Sequence, residues 1–531
     1  MAAARRLPAT LALSLSLASC TILGPDFEAP APVLPAAWSA IDDADSRYRA
    51  AYWWRQFEDP VLDELIAATY AQNLDLQSAG LRILQARAAL GIADGLRFPQ
   101  QQAVSGALLR GRMEDPALEK PRYRPFNTAN LNFDVAWEMD IWGKYARGIE
   151  SAEAALYAAV ASYDDVLISL TAEVARNYVD YRAFQERILL AEQNSLIQQR
   201  VVGITEIQYE SGNVTELDVQ QARTQLYSTQ SLLPALRIGK VQTRNAIAVL
   251  VGQLPEQVEG LLSAGDRAQR AVFEARTRAQ QLNRYDDRDG GYESYDIVPS
   301  TPPLRTGIDA SLVARRPDLR VAELQARAQS ARIGLTQAEL YPQFTLSGSI
   351  GLNQTVPAGT AFTGSDAVSV VLGPGFRWNI FNYGRIRNQV RVEDARFQES
   401  LTHYNQAALR AVQEVSNAIE GYRFTLEEEK LRLDTVQASV RAFSISMTQY
   451  QDGLVSYQRL LSTVEKMTRN EDLYAQSKAA IAKQVIALYK ALGGGWQMRS
   501  GRPFVAEAIR QQMGERTDWG KYLTPPEDAR P

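Results

Sequence analysis

Cysteine and histidine are almost missing from this 531-residue chain, which has one of each, Cys20 and His403. A lone cysteine closes no internal disulfide, and a lone histidine supplies neither a His/Cys metal set nor a nucleophile pair. No phosphate-binding loop and no nucleophile elbow are present, so the sequence speaks against an enzyme. His403 falls in a helical stretch beside Tyr404 and is read as a surface or interface residue. A basic excess is lacking too: the formal charge is −4, and Lys and Arg are spread along helices, which speaks against a nucleic-acid partner. Nowhere do eighteen uninterrupted apolar residues occur, so any membrane crossing must be made by strands.

What is present is present twice. Asp75 and Leu76 match Asp318 and Leu319, Gly91 matches Gly334, and Pro99-Gln100 matches Pro342-Gln343, all at a separation of 243 residues. Further on the separation settles at 241, pairing Tyr163 with Tyr404, Glu173 with Glu414, Gly212 with Gly453 and Gly252 with Gly493. A fixed internal period is the mark of a duplicated structural unit.

Each unit opens with a helical pattern. The first starts at Asp59-Pro60 and carries Leu62, Leu65, Ile66, Leu76, Leu84 and Leu90 towards Pro99; its twin runs from Ser311 to Pro342. Strands follow. From Asn130 to Met139, Leu131, Phe133, Val135, Trp137 and Met139 alternate with Asn130, Asn132, Asp134 and Glu138. Gln343–Asn353 and Val368–Ile380 alternate likewise, Gln101–Arg110 more weakly, and aromatics (Phe98, Trp142, Tyr341, Phe381, Tyr383) stand at the ends. This is the signature of outer-membrane barrels. Four strands close no barrel in lipid, so several copies must share one, two for eight strands or three for twelve.

Very long helices come next. Gly148–Ser211 has no proline and keeps seven-residue spacings through Val160, Leu167, Val174 and Tyr181, a rod of roughly 96 Å at about 1.5 Å per residue. Arg385–Asp452 repeats it, with fuzzier heptads. Tyr209-Glu210-Ser211-Gly212 and Tyr450-Gln451-Asp452-Gly453 then predict tight turns with Gly212 and Gly453 at positive φ. Returning helices follow, the first expected to be interrupted at Pro234. Repeat equivalence sets Asp218 against Arg459 and Glu216 against Tyr457, so the two turns carry complementary groups. Asp218, Arg459, Glu216, Tyr457, Tyr209 and Tyr450 are therefore the candidate gate residues where helix tips meet.

At the N-terminus Arg5-Arg6, an apolar run Leu11–Leu17 and Leu17-Ala18-Ser19-Cys20 read as a secretory leader ending in a lipoprotein cleavage box. Cys20 would then carry S-diacylglycerol and an N-acyl chain, and loss of Arg5 and Arg6 takes the formal charge to −6. Thr21, where an aspartate is absent, resembles lipoproteins sorted to the outer membrane. The expected divisions are residues 1–19, signal peptide; 20–59, lipid-anchored strap; 60–252, first repeat; 253–305, connector, polar over residues 283–303; 306–496, second repeat; and 497–531, a tail without periodic pattern.

In this order, several motifs resemble the outer-membrane factor (TolC-like) family, in its lipoprotein branch of NodT/OprM-like multidrug efflux channels. They are Cys20 with Gly24-Pro25-Asp26-Phe27, Trp53-Trp54-Arg55-Gln56-Phe57 with Asp59-Pro60, Asp140-Ile141-Trp142-Gly143-Lys144, Arg315-Arg316-Pro317-Asp318, Phe381-Asn382-Tyr383-Gly384-Arg385, and Leu488-Tyr489-Lys490 through Gly493-Gly494-Gly495-Trp496. The match covers nearly the whole mature chain. It implies a mainly α fold with membrane β, a homotrimer whose twelve-stranded β-barrel continues into a periplasmic α-helical barrel, with an equatorial belt near residues 253–305 and the C-terminal region. It also implies two partners, a periplasmic adaptor and a resistance-nodulation-division inner-membrane pump, and a passive duct for small molecules with no cofactor beyond the lipid on Cys20. Many relatives carry aspartates beyond the second-turn glycine. Val455, Arg459 and Ser462 stand there instead, which speaks against an acidic cation-binding ring at that turn. Two rival readings are a lipid-anchored periplasmic coiled-coil scaffold without a barrel and a TolC-like channel for protein secretion.

Overall fold

A computed structural model of the chain describes residues 22–31, 35, 50–114, 123–263, 273–275, 295–301, 313–363 and 368–523. Cys20 and the leader lie outside them. The element order is α1 (Pro60–Gln72), α2 (Leu74–Gly95), β1 (Gln101–Glu114), β2 (Tyr123–Glu138), α3 (Lys144–Glu210), α4 (Glu216–Val251), α5 (Pro255–Leu262), α6 (Pro317–Gln337), β3 (Gln343–Pro357), β4 (Val368–Arg377), α7 (Arg385–Gln451), α8 (Tyr457–Ala491) and α9 (Glu507–Arg516). The duplication is literal. Both α3 and α7 span 67 residues, and each begins after a left-handed glycine, Gly143 at φ 73° and Gly384 at φ 79°. At about 1.5 Å per residue each is a rod of roughly 100 Å.

The helical run from Pro60 is not continuous, because Asn73 breaks it. Asp59 caps α1, its Oδ1 accepting the Val61 N–H at 2.9 Å, and Asn73 caps α2 in the same way, its Oδ1 accepting the Leu76 N–H at 2.8 Å. The Asn73 amide also donates to the Leu250 carbonyl at 2.8 Å, which pins this corner to the end of α4. Pro234, expected to interrupt α4, does not: the helix runs unbroken from Glu216 to Val251. Proline removes one donor, and on this exposed face water can serve the carbonyl left behind.

The four strands form one antiparallel sheet in the order β1-β2-β3-β4, with β1 and β4 at its edges. Three strands outrun their expected lengths, and β4 ends at Arg377, short of Ile380. Around the middle of the first rod, a hydrophobic knot joins Trp53, Trp54 and Phe57 to α1, the stretch Tyr163–Ala183 of α3, Ile247–Val251 and Ala479–Tyr489 of α8. Trp53 stacks on Tyr489 with centroids 5.7 Å apart, and a Cβ on Gly494 would strike the Ala50 carbonyl. Two distant signature motifs thus meet in one core.

The connector and tail are more built than their composition indicates. Tyr295, Ile297 and Val298 are buried against the rods, with Tyr295 bonded to Gln193. The tail carries α9 and lies along α2, where side chains at Gly80 and Gly91 would collide with Phe504 and Tyr522. At the start of the tail Arg499 pairs with Asp164 of α3, and both are buried.

Candidate functional site

The strand register sorts the sheet into two faces. Leu131 stands opposite Gly106 and Leu352, Phe133 opposite Val104 and Ile350, and Ile350 opposite Val370. All these side chains, with Leu108, Leu346, Leu372 and Phe376, lie on one face, and that face is uncovered: Val104 is 73% exposed, Leu108 80% and Leu372 75%. Large apolar groups left open over a whole sheet mark a surface made for another apolar phase. The opposite face is polar and bonded to itself. Asn353 Nδ2 donates to Asn132 Oδ1 at 2.9 Å and to Ser369 Oγ at 2.8 Å, Ser105 Oγ donates to Asp134 at 3.2 Å, and the Thr128 and Thr355 hydroxyls meet at 3.0 Å. Apolar outside and polar inside is the wall of a water-filled barrel.

At the helix end of the sheet sits an aromatic girdle. Three indole N–H groups donate to backbone carbonyls at the helix-to-strand junctions: Trp137 to Arg97 at 3.2 Å, Trp142 to Pro342 at 2.8 Å and Trp378 to Leu340 at 3.0 Å. Phe381 and Tyr383 project freely. Rings whose polar edge is satisfied while they stay partly exposed suit a membrane–water interface. Below it Asp140 caps the first rod, its carboxylate accepting the Tyr145 and Ala146 N–H groups at 3.0 and 2.8 Å, where the helix dipole favours negative charge.

The N-terminal strap is locked to this junction. The Leu23 N–H donates to the Trp142 carbonyl at 3.2 Å; the Arg147 guanidinium donates to the Leu23 and Gly24 carbonyls and to Asp26 at 2.8 Å. Gly24 passes so close to Gly334 that neither tolerates a Cβ.

At the far tips, Gly212 (φ 75°) and Gly453 (φ 72°) close the two hairpins as expected. Tyr450 and Tyr457 are buried there with Ile197, Val201, Leu226, Phe443 and Leu460, joining both hairpins in one cluster. The Tyr450 hydroxyl lies 3.2 Å from Thr205 Oγ1, and Gln208 donates to the Tyr450 carbonyl at 3.2 Å, so the first turn is tied to the second. Burial raises both phenols above their ordinary value; the Tyr450 phenol and the Asp218 charge add to the rise at Tyr457. Asp218 caps its own helix, accepting the Thr215 N–H at 2.9 Å and hydroxyl at 2.8 Å. Arg459, its repeat partner, cannot accept such a bond. Among the described residues no ion pair joins Asp218 to Arg459. Glu216 sits exposed in the first turn of α4, and Tyr209 is half exposed. His403 is exposed on α7, 3.8 Å from Glu399.

Sequence reasoning missed Thr205 and Gln208, which secure the tips, and Asp164 with Arg499. No period marks any of them. The sequence does mark Trp142 as an aromatic strand end and sets Trp137 and Trp378 in the alternating series, but their carbonyl partners carry no sequence signal.

Comparison with known proteins bears on this geometry. The family model described as outer membrane efflux protein matches residues 65–253 and 310–494, one match for each half of the duplication. The pyoverdine export outer membrane protein OpmQ of Pseudomonas putida is 28% identical over 495 residues, covering 92% of this chain and 97% of its own. The probable outer membrane lipoprotein SilC of Salmonella typhimurium is 25% identical over 495 residues, covering 90% and 96%. Among solved structures, the outer-membrane channel OprN matches with a TM-score of 0.76 and 29% identity over 90% of this chain and 99% of that one.

Proposed function

The chain belongs to the outer membrane efflux protein family, and on that premise we propose that it is the outer-membrane channel of a tripartite efflux system, a passive exit duct for small molecules. The observation that carries this reading is the sheet. Its apolar face is open, its β1 and β4 edges are unpaired within one protomer, and the strands pass directly into rods of 67 residues. Unpaired edges cannot stand in lipid, so protomers share a wall; three copies supply twelve strands. A lipid-anchored scaffold without a barrel would leave this face in water. The chain acts as a conduit and not as an enzyme.

A duct lowers the barrier to passage and supplies no energy, so the driving force belongs to an inner-membrane pump of the resistance-nodulation-division type, reached through a periplasmic adaptor. Cys20 carries the lipid in this reading; what supports it is that the nearby described residue Ile22 lies against Gly143, just beyond the end of β2 that leads into the first rod. The tips form the gate, with Tyr450 and Tyr457 holding the two hairpins together and Asp218, Glu216, Arg459 and Tyr209 facing neighbouring hairpins.

Mass measurement of the detergent-solubilised complex, with a low-resolution projection, tests assembly and pore together. Three copies around one pore are expected. A stable water-soluble monomer of the delipidated mature chain overturns the reading.

A further inference from the structure

The outward face of the sheet turns from apolar to charged near the hairpin end of β1 and β2. On the outward face the apolar series on β2, Trp137, Val135, Phe133, Leu131 and Ala129, spans residues 129–137, within the roughly 9–11 residues that a tilted strand uses to cross a bilayer. The next outward positions on the β1–β2 ladder are Arg110, opposite Asn127, and Arg112, opposite Pro125. On the inward face at the same levels apolar and polar groups mix: Leu109 stands opposite Thr128, Met113 opposite Arg124, and Gly111 is covered by the Phe126 ring, where a Cβ would collide. The two arginines therefore occupy the outer rim, at the boundary where lipid tails give way to headgroups. The helix-side rim carries the aromatic girdle instead.

Both side chains are exposed, and neither has an ion-pair partner among the described residues. Alternate residues of a strand sit about 6.6 Å apart on the same face, so two guanidinium groups can approach one phosphorylated headgroup, each offering paired N–H donors. Their long stems can lie along the top of the apolar band while the charges reach the headgroup layer.

We propose that Arg110 and Arg112 form a docking surface for the phosphate groups of an outer-leaflet glycolipid, one copy per protomer. The occupant is set by charge complementarity and by level: a doubly phosphorylated, multiply acylated sugar lipid presents phosphate at the height where these arginines end, with acyl chains against Val104, Leu108 and Leu131 beneath. The inference rests on the barrel reading above.

Native mass spectrometry of the purified full-length assembly, titrated with lipid A, tests it beside an Arg110→Gln, Arg112→Gln double variant. The expected result is lipid A retention by the unaltered protein and at least tenfold weaker binding in the variant, with copy number and bilayer conductance unchanged in both. Dephosphorylated lipid A should bind the unaltered protein as weakly as the variant binds lipid A. Equal retention by both proteins, equal binding of the dephosphorylated lipid, or full competition by inorganic phosphate alone each overturns the inference while leaving the channel intact. Loss of the multimer and of conductance in the unaltered protein would instead mark failure of the barrel reading.

Discussion

The rings of Tyr450 and Tyr457 meet edge to face with centroids 5.9 Å apart, one from the end of the second rod and the other from the start of its return. Both are buried, and Tyr450 also reaches Thr205 on the first rod. Tyr457→Ala is expected to remove about 3–5 kcal/mol of packing at the tip, lower the melting temperature and raise single-channel conductance. Tyr457→Phe should leave conductance unchanged, because ring packing closes the tip. Asp218→Ala should cost about 1 kcal/mol through loss of its cap, and a conductance equal to the unaltered channel removes Asp218 from the gate.

Adjacent residues on β2 should respond oppositely to the same charge. Phe133 faces outward at the middle of the apolar series, and Asn132 faces inward beside Asn353. Phe133→Lys is expected to cost about 2–4 kcal/mol at the bilayer midplane and to reduce the yield of heat-modifiable assembly, whereas Asn132→Lys should assemble normally. Equal yields from the two variants would contradict the assignment of faces.

The Arg499–Asp164 pair is buried on both sides, with Nη2 to Oδ2 at 2.8 Å. Arg499→Ala strands a buried carboxylate, already pushed above the usual range by burial, and should cost about 3–5 kcal/mol. The double change Arg499→Met, Asp164→Leu should recover most of that loss. Thermal unfolding in detergent compares the three proteins.

Asp165 lies near Asp318, Arg316, Lys490 and Glu414, and burial foremost, then the Asp318 charge, raises its carboxyl above the ordinary 3.8. The folded state thus holds this proton more tightly than the unfolded chain. Stability from this group is greatest below pH 3.8, falls as pH rises through the folded value, and stays at the lower level above it. Asp165→Asn should therefore raise the melting temperature at pH 7 and give no gain below pH 3.8. A gain that persists in acid would assign the effect to packing.

Much of the architecture was legible because its elements are long and strictly periodic. The two-residue alternation of Leu131, Phe133 and Val135 located β2, and the seven-residue steps of Leu167, Val174 and Tyr181 located the first rod. The site was legible in part. Gly212 and Gly453 gave away the turns, since only positive φ ends a helix so sharply there. The partners of Tyr450 and Asp218 were not legible: repeat equivalence aligns Asp218 with Arg459, yet a carboxylate three residues after Thr215 finds its nearest donors on its own helix. Asn73 carries no spacing that marks the break between α1 and α2; its role shows only where its amide meets the Leu250 carbonyl.

The sequence by itself determined the duplication, the strands, the rods, and the need for several copies to close one wall. These follow from spacings of two, seven and about 240 residues, which act through neighbours along the chain or through simple repetition. Only the tertiary structure decided how Trp53 comes to stack on Tyr489, how Arg499 reaches Asp164, and where the strand register places Arg110 and Arg112 relative to the apolar band. Those relationships join residues with no fixed spacing, through strand register and close packing, and register exists only once the strands have paired.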